Sequence, residues 1–167
     1  GVPYTQFSVN QAGNLRFGPS LVQDWQIQSI DPANVPFIMP FSADANVAAS
    51  SVVMLLTGSE PSRTLVIQWN LRLWNPVTTC TFQALLHEGS NVIEFRYGTG
   101  AVEPYQNRVA IVGANAANYL NVLSSHAAST TNSGASNFWP GDGRSYTFTP
   151  PVASCAGPTP GNTMASA

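Results

Sequence analysis

Between Thr64 and Gly98 the chain runs through three successive stretches in which apolar and polar residues alternate. In the first, Leu65, Ile67, Trp69, Leu71 and Leu73 are separated by Gln68, Asn70 and Arg72; in the second, Cys80, Phe82, Ala84 and Leu86 alternate with Thr79, Thr81, Gln83 and His87. In the third, Ile93, Phe95 and Tyr97 flank Glu94 and Arg96. A period of two places each apolar set on one face of a sheet and the polar set on the other. The segment predicts an antiparallel meander with its odd-numbered first strand and even-numbered second strand facing a core. Glu88–Gly89–Ser90–Asn91 supplies the turn between its last two strands. Such a segment points to a structural or binding module.

The flanking sequence extends the pattern. Tyr4–Val9 and Leu15–Gly18 read as short strands around a turn at 10–14, and Val35–Phe41 as a buried extended piece within an otherwise aperiodic stretch. Ser51–Thr57 (SVVMLLT) reads as a buried strand. Arg108–Val112, Tyr119–Leu123 and Ser145–Thr149 are further strands, with a Ser/Thr/Asn/Gly loop over 127–143. Helical periodicity is absent. Short strands separated by turn signals predict an all-β fold, an antiparallel β-sandwich of jelly-roll or Ig-like two-sheet packing with long loops.

Composition sharpens this. The 167 residues suffice for one domain, and only 8% are charged, against about 25% in ordinary soluble proteins. All six basic residues are arginine and none is lysine. Amides and hydroxyls form the polar surface, which suits an exported protein that packs against neighbours. With a net charge of −2 and scattered arginines there is no basic stripe for nucleic acid. No apolar run reaches the roughly 20 residues that span a bilayer as a helix.

Two cysteines are present. A Cys80–Cys155 disulfide would close a loop of about 75 residues and contribute roughly 4 kcal/mol on the chain-entropy account. The alternatives are a buried free thiol at Cys80 and a partner for Cys155 beyond Ala167.

The chemistry-bearing residues are sparse. His87 and Glu88 are adjacent along a strand, so they point to opposite faces and read as turn polarity rather than an acid–base pair. His126 stands alone in a Ser-rich loop, and Asp142 is one carboxylate where calcium takes several oxygens. Asp31, Asp44 and Glu60 lie in separate loops. No catalytic residue, metal site or cofactor is expected. Trp74 and Trp139 are the candidates for contact with a ligand or partner, Trp74 because it falls out of register with the buried odd positions.

RTLVIQW, TFQALLHEGSNVIEFRYG, RVAIVGANAA and SYTFTP, with PYTQFSVNQAGNLRFG and VPFIMPFSADAN upstream, together resemble a nidogen-like β-sandwich module. The likeness is to the bacterial relatives of that module in large secreted and surface proteins, especially of Bacteroidota. It covers residues 1–150, with Ser42 where the family carries an aromatic. It implies an extracellular, cell-surface module of an adhesin-like or filament-forming protein exported by type IX secretion, and it brings no catalytic residue. It also implies that strands precede Gly1 and that residues 151–167 are a Pro/Gly-rich linker into a following Ig-like repeat, in which Cys155 pairs. The expected partners are neighbouring modules or copies of the chain, joined by strand addition near Tyr4–Phe17. The other function to weigh is carbohydrate binding through Trp74 and Trp139; a hydrolase lacks a constellation to support it.

Overall fold

The period-two segments become the strands of two antiparallel sheets in the computed structural model, which describes residues 3–22, 30, 32–102, 107–131 and 137–151. The first sheet takes β1 (Phe7–Val9), β2 (Leu15–Phe17), β3 (Phe37–Ala43), β8 (Asn107–Val112), β9 (Tyr119–Val122) and β10 (Ala128–Ser129), in the spatial order β1-β2-β3-β8-β9-β10. The second takes β4 (Ser51–Thr57), β5 (Thr64–Arg72), β6 (Thr79–His87), β7 (Ile93–Tyr97) and β11 (Ser145–Phe148), in the order β11-β7-β6-β5-β4. Neither sheet closes on itself. The fold is an all-β sandwich, with two single-turn 3₁₀ segments at Pro32–Asn34 and Val47–Ala49 as the helical content of the described residues.

The meander is β5, β6 and β7, in the expected register. Ile67 lies opposite Ala84, Trp69 opposite Phe82 and Phe95 opposite Ala84. Their side chains, with Leu71, Leu73 and Cys80, are fully buried, while Gln68, Arg72, Gln83 and Glu94 are partly open to solvent. Leu15, Ile38, Phe41, Ala43, Val109 and Val122 close the same core from the other sheet. Aromatic rings fill its centre: Trp69 stacks on Phe82, and Phe41 meets Phe82 edge-on. The Trp69 indole N–H, which burial would otherwise strand, donates to the Asn10 carbonyl of the facing sheet at 2.8 Å.

The first sheet is covered on both sides. Val22, Phe37, Met39, Ala110 and Val112 form a second cluster on its outer face, with Ile30, Val35 and Tyr119 against it. That is why all seven residues of β3 are buried. The strand changes face at a register shift between Met39 and Ser42 that contains Pro40, a position where a residue without an N–H costs no ladder bond. The Pro40 carbonyl instead accepts the Tyr97 hydroxyl at 2.6 Å.

Two expectations are corrected here. Ser51–Thr57 is a strand but not a buried one: six of its seven residues are exposed and Val52 is partly so. The stretch at 127–143 is not loop throughout, since Ala128–Ser129 pairs with β9. The tail from 152 onward and Asp31 lie outside the described residues.

Candidate functional site

The feature of this sandwich that calls for a ligand or partner is β4. It pairs with β5 along its whole length, from Ser51 opposite Asn70 to Thr57 opposite Thr64, without a bulge. Among the described residues no strand lies on its other side. Val53, Met54, Leu55 and Leu56 are exposed by 54, 57, 61 and 57%. A contiguous aliphatic strip on a monomer surface marks an interaction site.

The register assigns each side chain to a face. Val52, Met54 and Leu56 lie opposite Trp69, Ile67 and Leu65, on the core side of the sheet. Val52 packs against the core, whereas Met54 and Leu56 remain largely exposed. Val53 and Leu55 share the outer face with Gln68 and Val66. The backbone alternates as well. The Arg72 carbonyl accepts Asn46 N–H and the Arg72 N–H donates to Ser50 Oγ, so the even-numbered residues of β5 turn their peptide groups toward β4. In an antiparallel ladder their partners Ser51, Val53, Leu55 and Thr57 then face β5, and the N–H and C=O groups of Val52, Met54 and Leu56 point out of the open edge.

Both ends of this edge are held. At the 58–63 turn, Arg63 Nε donates to Glu88 Oε2 at 2.9 Å, the Arg63 backbone N–H donates to the same oxygen at 3.0 Å, and Arg63 Nη1 lies 2.9 Å from Glu60 Oε1. The Arg63 guanidinium bonds hold the Glu88 carboxyl below the usual carboxylate range. Next to it, the outer face of the sheet carries a run of uncharged side chains. Gln83 donates to Gln68 at 2.8 Å, Gln68 to Asn70 at 3.3 Å, and Asn70 to Ser51 Oγ at 3.3 Å. This ladder leads directly to β4, so the outer surface next to the edge is amide and hydroxyl, while the Glu94–Arg96 ion pair sits on β7, with β6 and β5 between it and that edge.

The residues singled out by sequence fall in separate places. Trp74, in the β5–β6 connection, is 57% exposed, with its backbone N–H directed at the Asp44 carbonyl. Trp139 is partly buried: its ring meets Phe41 and Tyr97 edge-on, its Nε1–H donates to Asp142 at 2.8 Å, and Gly100 packs against its face. It packs the core margin and does not present a flat exposed ring beside Trp74. Cys80 is a free thiol, one of the alternatives its sequence left open: it is fully buried, 3.4 Å from the Ala101 N–H. Burial pushes its pKa up to about 11. Cys155 lies outside the described residues.

His87 and Glu88 go separate ways, as alternation requires. His87 Nδ1 contacts Thr64 Oγ1 at 3.1 Å, while Glu88 is taken by Arg63. His126 Nδ1 lies 2.7 Å from the Tyr146 hydroxyl, with its ring against Phe138. Among the described residues no group of three or more His, Cys, Asp or Glu could hold a metal. The expected edge at Tyr4–Phe17 exists, because β1 is an outer strand, but it is three residues long. A shallow recess of about 380 Å³ beside it is lined by Phe7, Ser8, Gly18 and Leu21. The long aliphatic edge at β4 is what the sequence reading missed. The run SVVMLLT was the available signal, and it has the same form for a strand buried on both faces as for one open at its edge.

The family model described as NIDO related matches residues 1–150. The chain belongs to the NIDO-related family. Membership points to an extracellular structural module. Among the described residues no helix is long and apolar enough to cross a membrane. No curated protein and no solved structure matches the chain.

Proposed function

We propose that this chain is a non-enzymatic structural and adhesive module of a large extracellular surface or filament-forming protein, working through the open edge of β4. The observation that carries this is the uncharged strand 51–57 with its four exposed aliphatic side chains. Strand edges of this kind serve association through backbone hydrogen bonds, with side-chain pockets adding selectivity. The family membership supports the extracellular setting, and the low charge of the surface supports close packing of neighbouring modules. Export by the type IX route is a further element of this reading and rests on the sequence resemblance.

The test is surface labelling. Antibodies raised against the chain are expected to decorate intact source cells, and brief external proteolysis to remove the signal. A signal confined to permeabilised cells, or turnover in a broad panel of fluorogenic ester, peptide and glycoside substrates, would contradict the proposal.

The exposure of Trp74 favours a second reading, carbohydrate binding by ring stacking. It relies on Trp74 alone, since Trp139 is packed against Phe41 and Tyr97. Binding on a glycan array that is lost in Trp74→Ala, with the fold intact, would favour it over the first.

A further inference from the structure

The strand that lies open is chemically palindromic. Read from either end, Ser51–Val52–Val53–Met54–Leu55–Leu56–Thr57 runs hydroxyl, aliphatic, aliphatic, methionine, aliphatic, aliphatic, hydroxyl. We infer that the occupant of the β4 edge is the β4 edge of a second copy, paired antiparallel about a two-fold axis through Met54. The inference rests on the edge being the working surface and names its partner.

Three independent features select this occupant and this register. The first is backbone parity. Only Val52, Met54 and Leu56 direct their N–H and C=O groups outward, so a partner strand must set these three against outward-facing residues of its own. Pairing Met54 with Met54 does so, because Val52 then meets Leu56 and Leu56 meets Val52, giving about six hydrogen bonds in alternating close pairs. A shift by one residue sets outward groups against inward ones. The second is side-chain matching. With Met54 on the axis, Val53 lies opposite Leu55 and Ser51 opposite Thr57, so aliphatic meets aliphatic and hydroxyl meets hydroxyl on both faces. A shift by two in one direction places Ser51 against Leu55 and Leu56 against Ser50; in the other it places Val53 against Thr57 and Val52 against Gly58.

The third is charge and protection. The strand carries no ionisable residue, so no like charges oppose one another at the axis. The 58–63 turn with Glu88 has two acids against one base (Glu60 and Glu88 against Arg63), whereas the opposite end carries Arg72 with Asp44 nearby; antiparallel pairing keeps the two acidic ends apart and sets each against the balanced end of the other copy. Sheet edges are ordinarily defended by lysine, proline or a bulge. β4 has no proline, no bulge and, like the whole chain, no lysine.

A two-fold axis perpendicular to the sheet is isologous and closes at two copies. The five-stranded sheets of two molecules become one ten-stranded sheet, with both uncovered Met54 and Leu56 faces on the same side. The area removed from water is on the order of 1,000 Å², at the low end for specific interfaces, the size class of weak and transient association.

Sedimentation velocity on the full chain, over a dilution series from micromolar to near-millimolar, tests the pairing. A monomer–dimer equilibrium is expected, and Met54→Lys should weaken it at least about tenfold with an unchanged far-ultraviolet spectrum. Leu55→Lys, on the outer face, is the second variant should Met54→Lys disturb folding. The register is read by cross-linking in a Cys155→Ser background. Met54→Cys places two sulfurs on the axis within disulfide reach and should give a covalent dimer on mild oxidation, whereas Val53→Cys, two residues out of step with its own copy, should not. A chain that stays monomeric throughout, association that survives both lysine variants, or equal cross-linking at Val53→Cys would overturn the inference. None of these results depends on where the protein resides, so surface labelling and self-association can fail separately.

Discussion

At the scale of single residues, what holds this sandwich together is a small set of close approaches around Trp69 and Phe41. Gly13, at φ +85°, is one: a Cβ built there would lie 2.0 Å from the Phe41 carbonyl oxygen. Both the left-handed backbone and the contact exclude a side chain. Gly13→Ala is therefore expected to lower stability by about 2 kcal/mol or more, read as the midpoint of urea unfolding; an unchanged midpoint would show that the 10–14 turn does not dock on β3 as described. Cys80 gives a prediction in the alkaline range. Its pKa is raised from 9.0 to about 11 by burial, so the folded state keeps the proton longer than the unfolded one. The associated stability is complete below about pH 9 and is lost as pH rises toward 11. Tyr97, raised by its own burial, acts in the same direction. The native thiol should resist maleimide at pH 8, followed on the Cys80 peptide by mass, and react once the chain is denatured. The acid side has the opposite sign. Glu88 and Glu94 are lowered, chiefly by hydrogen bonds from Arg63 and Arg96. Their contribution is present above the unfolded carboxylate value of about 4.3 and fades as pH falls through the lowered one. The thermal midpoint should be flat from neutrality to about pH 5 and fall below about pH 4, less steeply in Glu88→Gln.

Strands show where sequence reasoning works and where it stops. The meander β5–β7 was legible because one face is wet and the other dry, so Gln68, Asn70 and Gln83 mark the phase of Ile67, Trp69 and Phe82. β3 and β4 both lack that alternation, for different physical reasons. In β3 a second apolar layer from Val22 and Ile30 covers the outer face. In β4 nothing among the described residues covers either the edge or the Met54 and Leu56 side chains. A period-two test sees only apolar residues in both cases. The difference lies in strand order, which depends on pairings as distant as β3 with β8. The two strands should respond differently to truncation. Ile67→Ala, fully buried on β5, is expected to cost about 2–5 kcal/mol, whereas Leu55→Thr on β4 should change stability by no more than about 0.5 kcal/mol. Equal losses in calorimetry would mean that β4 is covered in the folded monomer.

For the molecule as a whole, the sandwich architecture and its family followed from spaced motifs that survive as strands: the meander, the β1–β2 hairpin and β8. The candidate site did not. Trp74 is exposed as its phase suggested, but Trp139 packs inward, a placement set by Phe41 and Tyr97 from two different strands and invisible along the chain. The expected edge at Tyr4–Phe17 is real and short; the long open edge is on the other sheet. The proposed association rests on the order of the strands, which leaves an aliphatic strand at the end of a sheet. Amide hydrogen exchange resolved by residue, at low and high protein concentration, tests that claim most directly. In dilute solution the amides of Val52, Met54 and Leu56 should exchange rapidly while those of Val53 and Leu55, bonded to β5, are protected, and raising the concentration should protect the first three. Uniform protection along 51–57 in dilute solution, or alternation that concentration leaves untouched, would contradict the account.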